Sequence, residues 1–243
     1  MTLLHTPRVS GWVRGHLVCR VEGVRDQVAL TFDDGPSAID TPRVLDLLAR
    51  HGAQATFFTL AGKVERRPEL VRRMVAEGHE VAIHGDWHLP PPLLPPPLLR
   101  REVERSAAAA MRAANVTARH YRPPYGMMLP SQARYVRSLG YTPVLGDVYP
   151  EDALRPGVDT IVRRVLKRLS AGSILILHDG SAHMEMSRGQ TVEALAIILG
   201  HMATRALRGV SVERLLGATR AEAAPAVAST VVRTEQTRAT RRG

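Results

Sequence analysis

The chain has 243 residues, 44% hydrophobic and 23% charged, enough for one large domain with a core and too apolar for disorder throughout. Its one cysteine, Cys19, excludes an intrachain disulfide and a cysteine-built metal site, so any metal must be held by His, Asp or Glu. The formal net charge of +10 suits anionic partners, but the arginines are scattered over helix faces and the C-terminal stretch without interleaved aromatics, which argues against nucleic-acid binding.

Residues 1–27 read as an N-terminal extension. Arg8 and Arg14 interrupt the apolar run that a signal peptide needs, so a cytoplasmic location is expected, or an extracytoplasmic one if a leader has been removed. Residues 28–32 predict a buried strand. A helix follows over 41–50, with Pro42 in its first turn and Gly52 just past its end. Strand 55–60 leads to helix 68–77, closed by Gly78, and then to strand 80–84. Residues 89–99 carry six prolines, which exclude an ordinary helix or central strand and predict a rigid surface loop entering a helix over 99–114.

Strand 120–122 ends at Pro123-Pro124, and helix 131–139 has Ser131 as its N-cap. Strand 142–145, helix 158–169 and strand 173–178 come next; the last carries four consecutive aliphatics. Helix 191–207 and strand 210–212 complete the pattern. Residues 217–243 have no apolar period and read as a disordered basic tail. No stretch is long and apolar enough to span a membrane. Strands alternating with helices imply parallel βαβ units in one α/β domain over 28–216. About seven units fit a closed or nearly closed (β/α) barrel, with a doubly wound open sheet as the competing architecture.

In parallel α/β folds, functional residues collect at the C-terminal ends of strands. Here Asp33 and Asp34 end the first strand, His84 and His88 the third, and Arg122 to Gly126 the fourth; Asp147 and Asp152 follow the fifth, and His178 ends the sixth. Asp33-Asp34-Gly35-Pro36 alone reads as a turn. Adjacent carboxylates repel, however, and call for a cation or an arginine nearby. The spacing of His84 and His88 suits two imidazoles converging on one metal from one side of a helical turn.

Two histidines and a carboxylate leave an open coordination position, where a divalent ion brings the pKa of a water to about 7 in favourable sites. A second carboxylate can then act as base, backbone N–H groups can stabilise an oxyanion, and a histidine can protonate a leaving nitrogen. Residues 181–188, which include His183, Met184 and Glu185, read equally as a loop beside the substrate or as a surface connection.

These segments resemble the NodB-homology polysaccharide deacetylases, carbohydrate esterase family 4, over about residues 28–215. The resemblance implies a distorted (β/α)7-type barrel and a metal-dependent hydrolase that removes an N-acyl group, most often acetyl, from an amino sugar such as N-acetylglucosamine. It implies Asp33 as base and Asp34, His84 and His88 as metal ligands. Arg122 would orient the base, and the backbone N–H of Tyr125 would face the oxyanion. His178 would be the acid, Asp152 its tuning partner, and Ile176 a lining residue of the acyl pocket.

The implied ion is zinc, with cobalt, nickel or iron also compatible with such ligands. Two positions depart from the family pattern. Gly85 stands where Ser or Thr usually braces the metal loop, and Ala153 replaces a tryptophan of the acyl pocket. These departures keep a second reading open, a deformylase or deacetylase of a lipid-linked or small glycoside; the basic charge alone keeps a third, a non-catalytic carbohydrate- or nucleic-acid-binding protein.

Overall fold

The computed structural model describes residues 15–222. Most of the stretch read for a signal peptide, and the tail beyond residue 222, lie outside the described residues. A seven-stranded sheet organises the chain, in the order β5-β4-β3-β2-β1-β6 with β7 also paired to β1. The strands are β1 (Gln27–Gly35), β2 (Thr56–Thr59), β3 (Glu80–Ile83), β4 (His120–Tyr121), β5 (Thr142–Pro143), β6 (Ile174–His178) and β7 (Arg208–Val210).

All pairings between these strands are parallel. The sheet curls, and isolated bridges link Val148 to Leu175 on β6 and Val18 to Val144. The result is a distorted barrel rather than an open doubly wound sheet. β1 carries the longest buried run, because it is flanked by strands on both edges and covered on both faces.

Helices α1 (Thr41–Arg50), α2 (Ala61–Arg66), α3 (Pro68–Ala76), α4 (Pro96–Ala114), α5 (Pro130–Ser138), α6 (Val158–Leu166), α7 (Gly189–Thr204) and α8 (Val212–Glu222) lie between or after the strands. The main core joins Val28, Leu30 and Phe32 of β1 to Leu45 and Leu48 of α1 and to Leu195 and Ile198 of α7. Alternate β1 residues thus face the helices, while Thr31 and Asp33 face the interior. Among the described residues no helix is long and apolar enough to cross a membrane.

The structure departs from the sequence expectations at several points. α2 has no counterpart among them; it is six residues long, and its N-cap, Leu60, offers no side-chain cap. α4 begins at Pro96, inside the stretch read as loop, because prolines are tolerated where the first-turn N–H groups have no helical acceptor. α5 begins at Pro130, with Leu129 rather than Ser131 as N-cap. Leu17 and Val21 of the N-terminal stretch are buried. Past Leu216 the chain remains helical to Glu222.

Candidate active site and metal centre

Successive strand residues point to opposite faces, so Asp33 and Asp34 could not both face the interior from a regular strand. The β1–β2 register breaks between Asp33 and Gly35, and Asp34 adopts a left-handed φ of 69°. This bulge turns both carboxylates into one site. Asp33 accepts a hydrogen bond from Arg122 Nη1 at 2.6 Å.

The same nitrogen donates to Thr31 Oγ1 at 2.6 Å, and Nη2 donates to the Leu145 carbonyl at 2.5 Å. Arg122 is 1% exposed, and its guanidinium lies 4.0 Å from the centroid of the Phe58 ring. Burial lowers the pKa of the guanidinium, while Asp33 supports its charge. One arginine thus ties the ends of β1 and β4 to the segment after β5.

Asp34 meets the two histidines. His84 Nε2 and His88 Nε2 lie 3.6 and 3.3 Å from Asp34 Oδ1. One ligand atom from each of the three residues falls within 4.8 Å of the others, and all three residues are buried. His84 Nδ1–H donates to the Arg122 carbonyl at 2.9 Å, which leaves Nε2 as a lone-pair donor.

Burial, with help from His84, pushes the His88 imidazole down to about 3, so it is neutral near pH 7. Burial would raise Asp34, but His178, His84, His88 and Lys63 hold it below the ordinary carboxylate value. Asp34 Oδ1 is buried without a hydrogen bond among the described residues. A carboxylate and two imidazoles around an unsatisfied oxygen fit zinc or a similar divalent ion. The helical turn expected between the histidines is absent. Residues 84–88 form an irregular loop that turns through positive φ at Gly85 (98°) and His88 (55°).

His178 ends β6 in register with Asp33 on β1. Its Nδ1–H donates to Asp152 Oδ1 at 2.9 Å, and its backbone N–H donates to Asp152 Oδ2 at 2.9 Å. Thr191 Oγ1 donates the carboxylate's third bond, to Oδ2, at 2.9 Å. Burial alone would lower the His178 imidazole, but the Asp152 carboxylate outweighs it and raises the group to about 9. The imidazolium is therefore the resting form at neutral pH, with Nδ1 committed and Nε2 left for the site.

Ile176 lies two residues earlier on the same strand face and packs with Leu17 and Leu145. Tyr149, which the sequence did not single out, packs on that cluster, and its ring centroid lies 6.2 Å from that of His178. Only its nearness to Asp152 in sequence hinted at such a place.

Tyr125 is 53% exposed, and its ring meets His88 at 4.5 Å between centroids. Its hydroxyl lies 3.3 Å from His183 Nε2, and the His183 ring is 5.7 Å from that of His88. The 181–188 segment therefore borders the site. Lys63 Nζ donates to the Ser181 carbonyl at 2.6 Å, and Arg67 pairs with Glu185 at 2.6 Å, so the segment is tied to α2 and the residue after it. Asp147, also a candidate by position, pairs with Arg20 at 2.9 Å and caps the N–H of Ile174 at 2.8 Å, away from this cluster.

Residues 20–144 match the family described as Polysaccharide deacetylase. The chain is 43% identical over 181 residues to a chitooligosaccharide deacetylase of Sinorhizobium fredii (strain NBRC 101917 / NGR234), covering 71% of this chain and 83% of that protein. It is 35% identical over 207 residues to a peptidoglycan-N-acetylglucosamine deacetylase of Bacillus cereus (strain ATCC 14579), covering 83% of this chain and 93% of that protein. Among solved structures it resembles the Bc1960 peptidoglycan N-acetylglucosamine deacetylase with a TM-score of 0.78 at 28% identity, over 84% of this chain and 95% of that one.

Proposed function

The chain belongs to the polysaccharide deacetylase family, carbohydrate esterase family 4, and from that membership we propose that it hydrolyses the N-acetyl amide of N-acetylglucosamine residues in chitooligosaccharide or peptidoglycan. The observation that carries the proposal is a pairing. An arginine-held carboxylate, Asp33, and a carboxylate-held imidazolium, His178, end adjacent strands beside the Asp34–His84–His88 triad.

Zinc is the proposed ion, held by Asp34, His84 and His88. When bound it supplies Lewis acidity to a water and to the amide oxygen. Asp33, oriented by its hydrogen bond from Arg122, takes the proton of the attacking water. The backbone N–H of Tyr125 donates to the oxyanion. His178, charged before the reaction begins, gives its Nε2 proton to the leaving nitrogen and is recharged from solvent. Asp152 keeps Nδ1 protonated and the ring oriented throughout. Ile176 lines the acyl group, and Tyr149, packed on the same cluster, stands where a wall is needed in the absence of a tryptophan at Ala153.

The test is acetate release from chitooligosaccharides and peptidoglycan fragments, with metal stripped by chelator and zinc then restored. The expected outcome is activity lost and regained with the ion. No acetate from any of these substrates by the zinc-loaded protein overturns the proposal.

A further inference from the structure

The loop from His84 to His88 must present two imidazoles to one point, yet it has no regular structure. His84 is anchored at the end of β3 and by its bond to the Arg122 carbonyl. His88 has no such anchor: its Nδ1 is buried without a hydrogen-bond partner among the described residues. Apart from ring contacts with His84, Tyr125 and His183, the position of its ring is set by the backbone that leads to it.

That backbone is held from outside the loop. Glu102 Oε2 accepts the N–H of Asp86 at 2.9 Å and the N–H of Trp87 at 3.0 Å, the two residues just before His88. Glu102 is 4% exposed and lies on the inward stripe of α4 with Leu99, Val103 and Ser106. Among the described residues no cation forms an ion pair with it. A buried carboxylate is costly unless hydrogen-bonded, so packing does not account for Glu at this position.

Gly85 matches the arrangement: a Cβ there would lie 3.2 Å from Glu102 Oε2, and its φ of +98° already disfavours a side chain. Between the two histidines the loop is also tied by Arg105 Nε to Asp86 at 2.8 Å, but the Arg105 side chain is 42% exposed and the pair is open to screening.

We propose that Glu102 is the positioning residue of the metal loop, fixing His88 relative to His84 by accepting both N–H groups that precede it. The proposal rests on the metal-site reading above. It places the control of ion affinity on a helix that contributes no ligand.

The experiment is zinc titration of the metal-stripped protein against a chromophoric chelator, for wild type, Glu102→Ala, Glu102→Gln, Glu102→Asp and His84→Ala. Circular dichroism reports whether each variant is folded. Loss of such an outer partner typically weakens metal binding about 10- to 100-fold, and that loss is expected for Glu102→Ala. Glu102→Gln keeps an acceptor oxygen at the same reach and should recover most of the affinity.

A folded Glu102→Ala that binds zinc as wild type does overturns the proposal, as do Ala and Gln variants that are equally weak. If Glu102→Ala does not fold, Glu102→Asp, whose shorter side chain withdraws the oxygen, decides by the same criterion. His84→Ala separates the two readings. Wild-type affinity in that variant removes the metal site itself, whereas its loss beside an unaffected Glu102→Ala removes only the role of Glu102.

Discussion

Asp33 and His178 are register partners on the adjacent parallel strands β1 and β6, each locked to a buried partner of opposite charge. Their separation is therefore set by the sheet, and each is oriented by its own partner. Asp33→Asn retains the size and the bond to Arg122 but removes the basic oxygen. Turnover should fall about 10²- to 10⁴-fold, the usual worth of a general base. Zinc content, measured by elemental analysis, should stay at the wild-type level. Full turnover in this variant would show that another group takes the proton.

His84→Ala and His88→Ala each remove one of three ligands, and the protein should leave a desalting column with far less zinc than wild type. His84→Ala should be the more damaging, since its ring also bonds the carbonyl of Arg122 at 2.9 Å. Equal metal content in all three proteins contradicts the ligand set.

Asp152→Asn tests the charge on His178. In the folded protein that imidazole is raised to about 9, against about 6.5 in an unfolded chain. Its contribution to stability is therefore full below pH about 6.5 and disappears as pH rises through about 9. The gap between wild type and Asp152→Asn in denaturant unfolding should be on the order of 3 kcal/mol at most at pH 6. It should narrow by pH 9.5. The alkaline limb of kcat should also move to lower pH in the variant. A gap independent of pH shows that Asp152 acts as packing alone.

Arg122→Ala leaves Asp33 buried and unpaired, a change that typically costs about 3–5 kcal/mol of stability. Arg122→Lys keeps the charge but not the fork that reaches Thr31, Asp33 and the Leu145 carbonyl together. Urea unfolding should rank wild type above Arg122→Lys and Arg122→Lys above Arg122→Ala.

Tyr149→Ala opens space beside Ile176. The ratio of kcat/KM for N-propionyl over N-acetyl glucosamine oligomers should rise, while zinc content is unchanged. An unaltered ratio removes Tyr149 from the acyl wall.

Much of the fold was legible because strand and helix periods differ and turn residues punctuate them. α1 was read to its end residues from Pro42 and Gly52. α2 was not, because six residues show too little periodicity and no polar cap marks their start. Asp33, Asp34, His84, His88 and His178 were legible as polar residues at strand ends. The sequence does not disclose that a bulge lets neighbouring Asp33 and Asp34 share one site. Spacing alone suggested a helical turn between His84 and His88, and the positive φ values at Gly85 and His88 replace it with a loop. Glu102 stayed hidden because it meets the metal loop from the following helix, and Tyr149 because no motif marks it beyond its nearness to Asp152.

α8 has a consequence for where the chain can be shortened. Its first N–H groups are received by Thr56 Oγ1 at 2.8 Å and Glu80 Oε2 at 3.0 Å, at the starts of β2 and β3. Val212 and Leu215 are fully buried there. The helix is a stopper in the barrel's floor, opposite the reactive rim. A protein cut at residue 211 would open that floor to water and expose two strand ends. Trimming meant to aid crystallisation should therefore stop at residue 222.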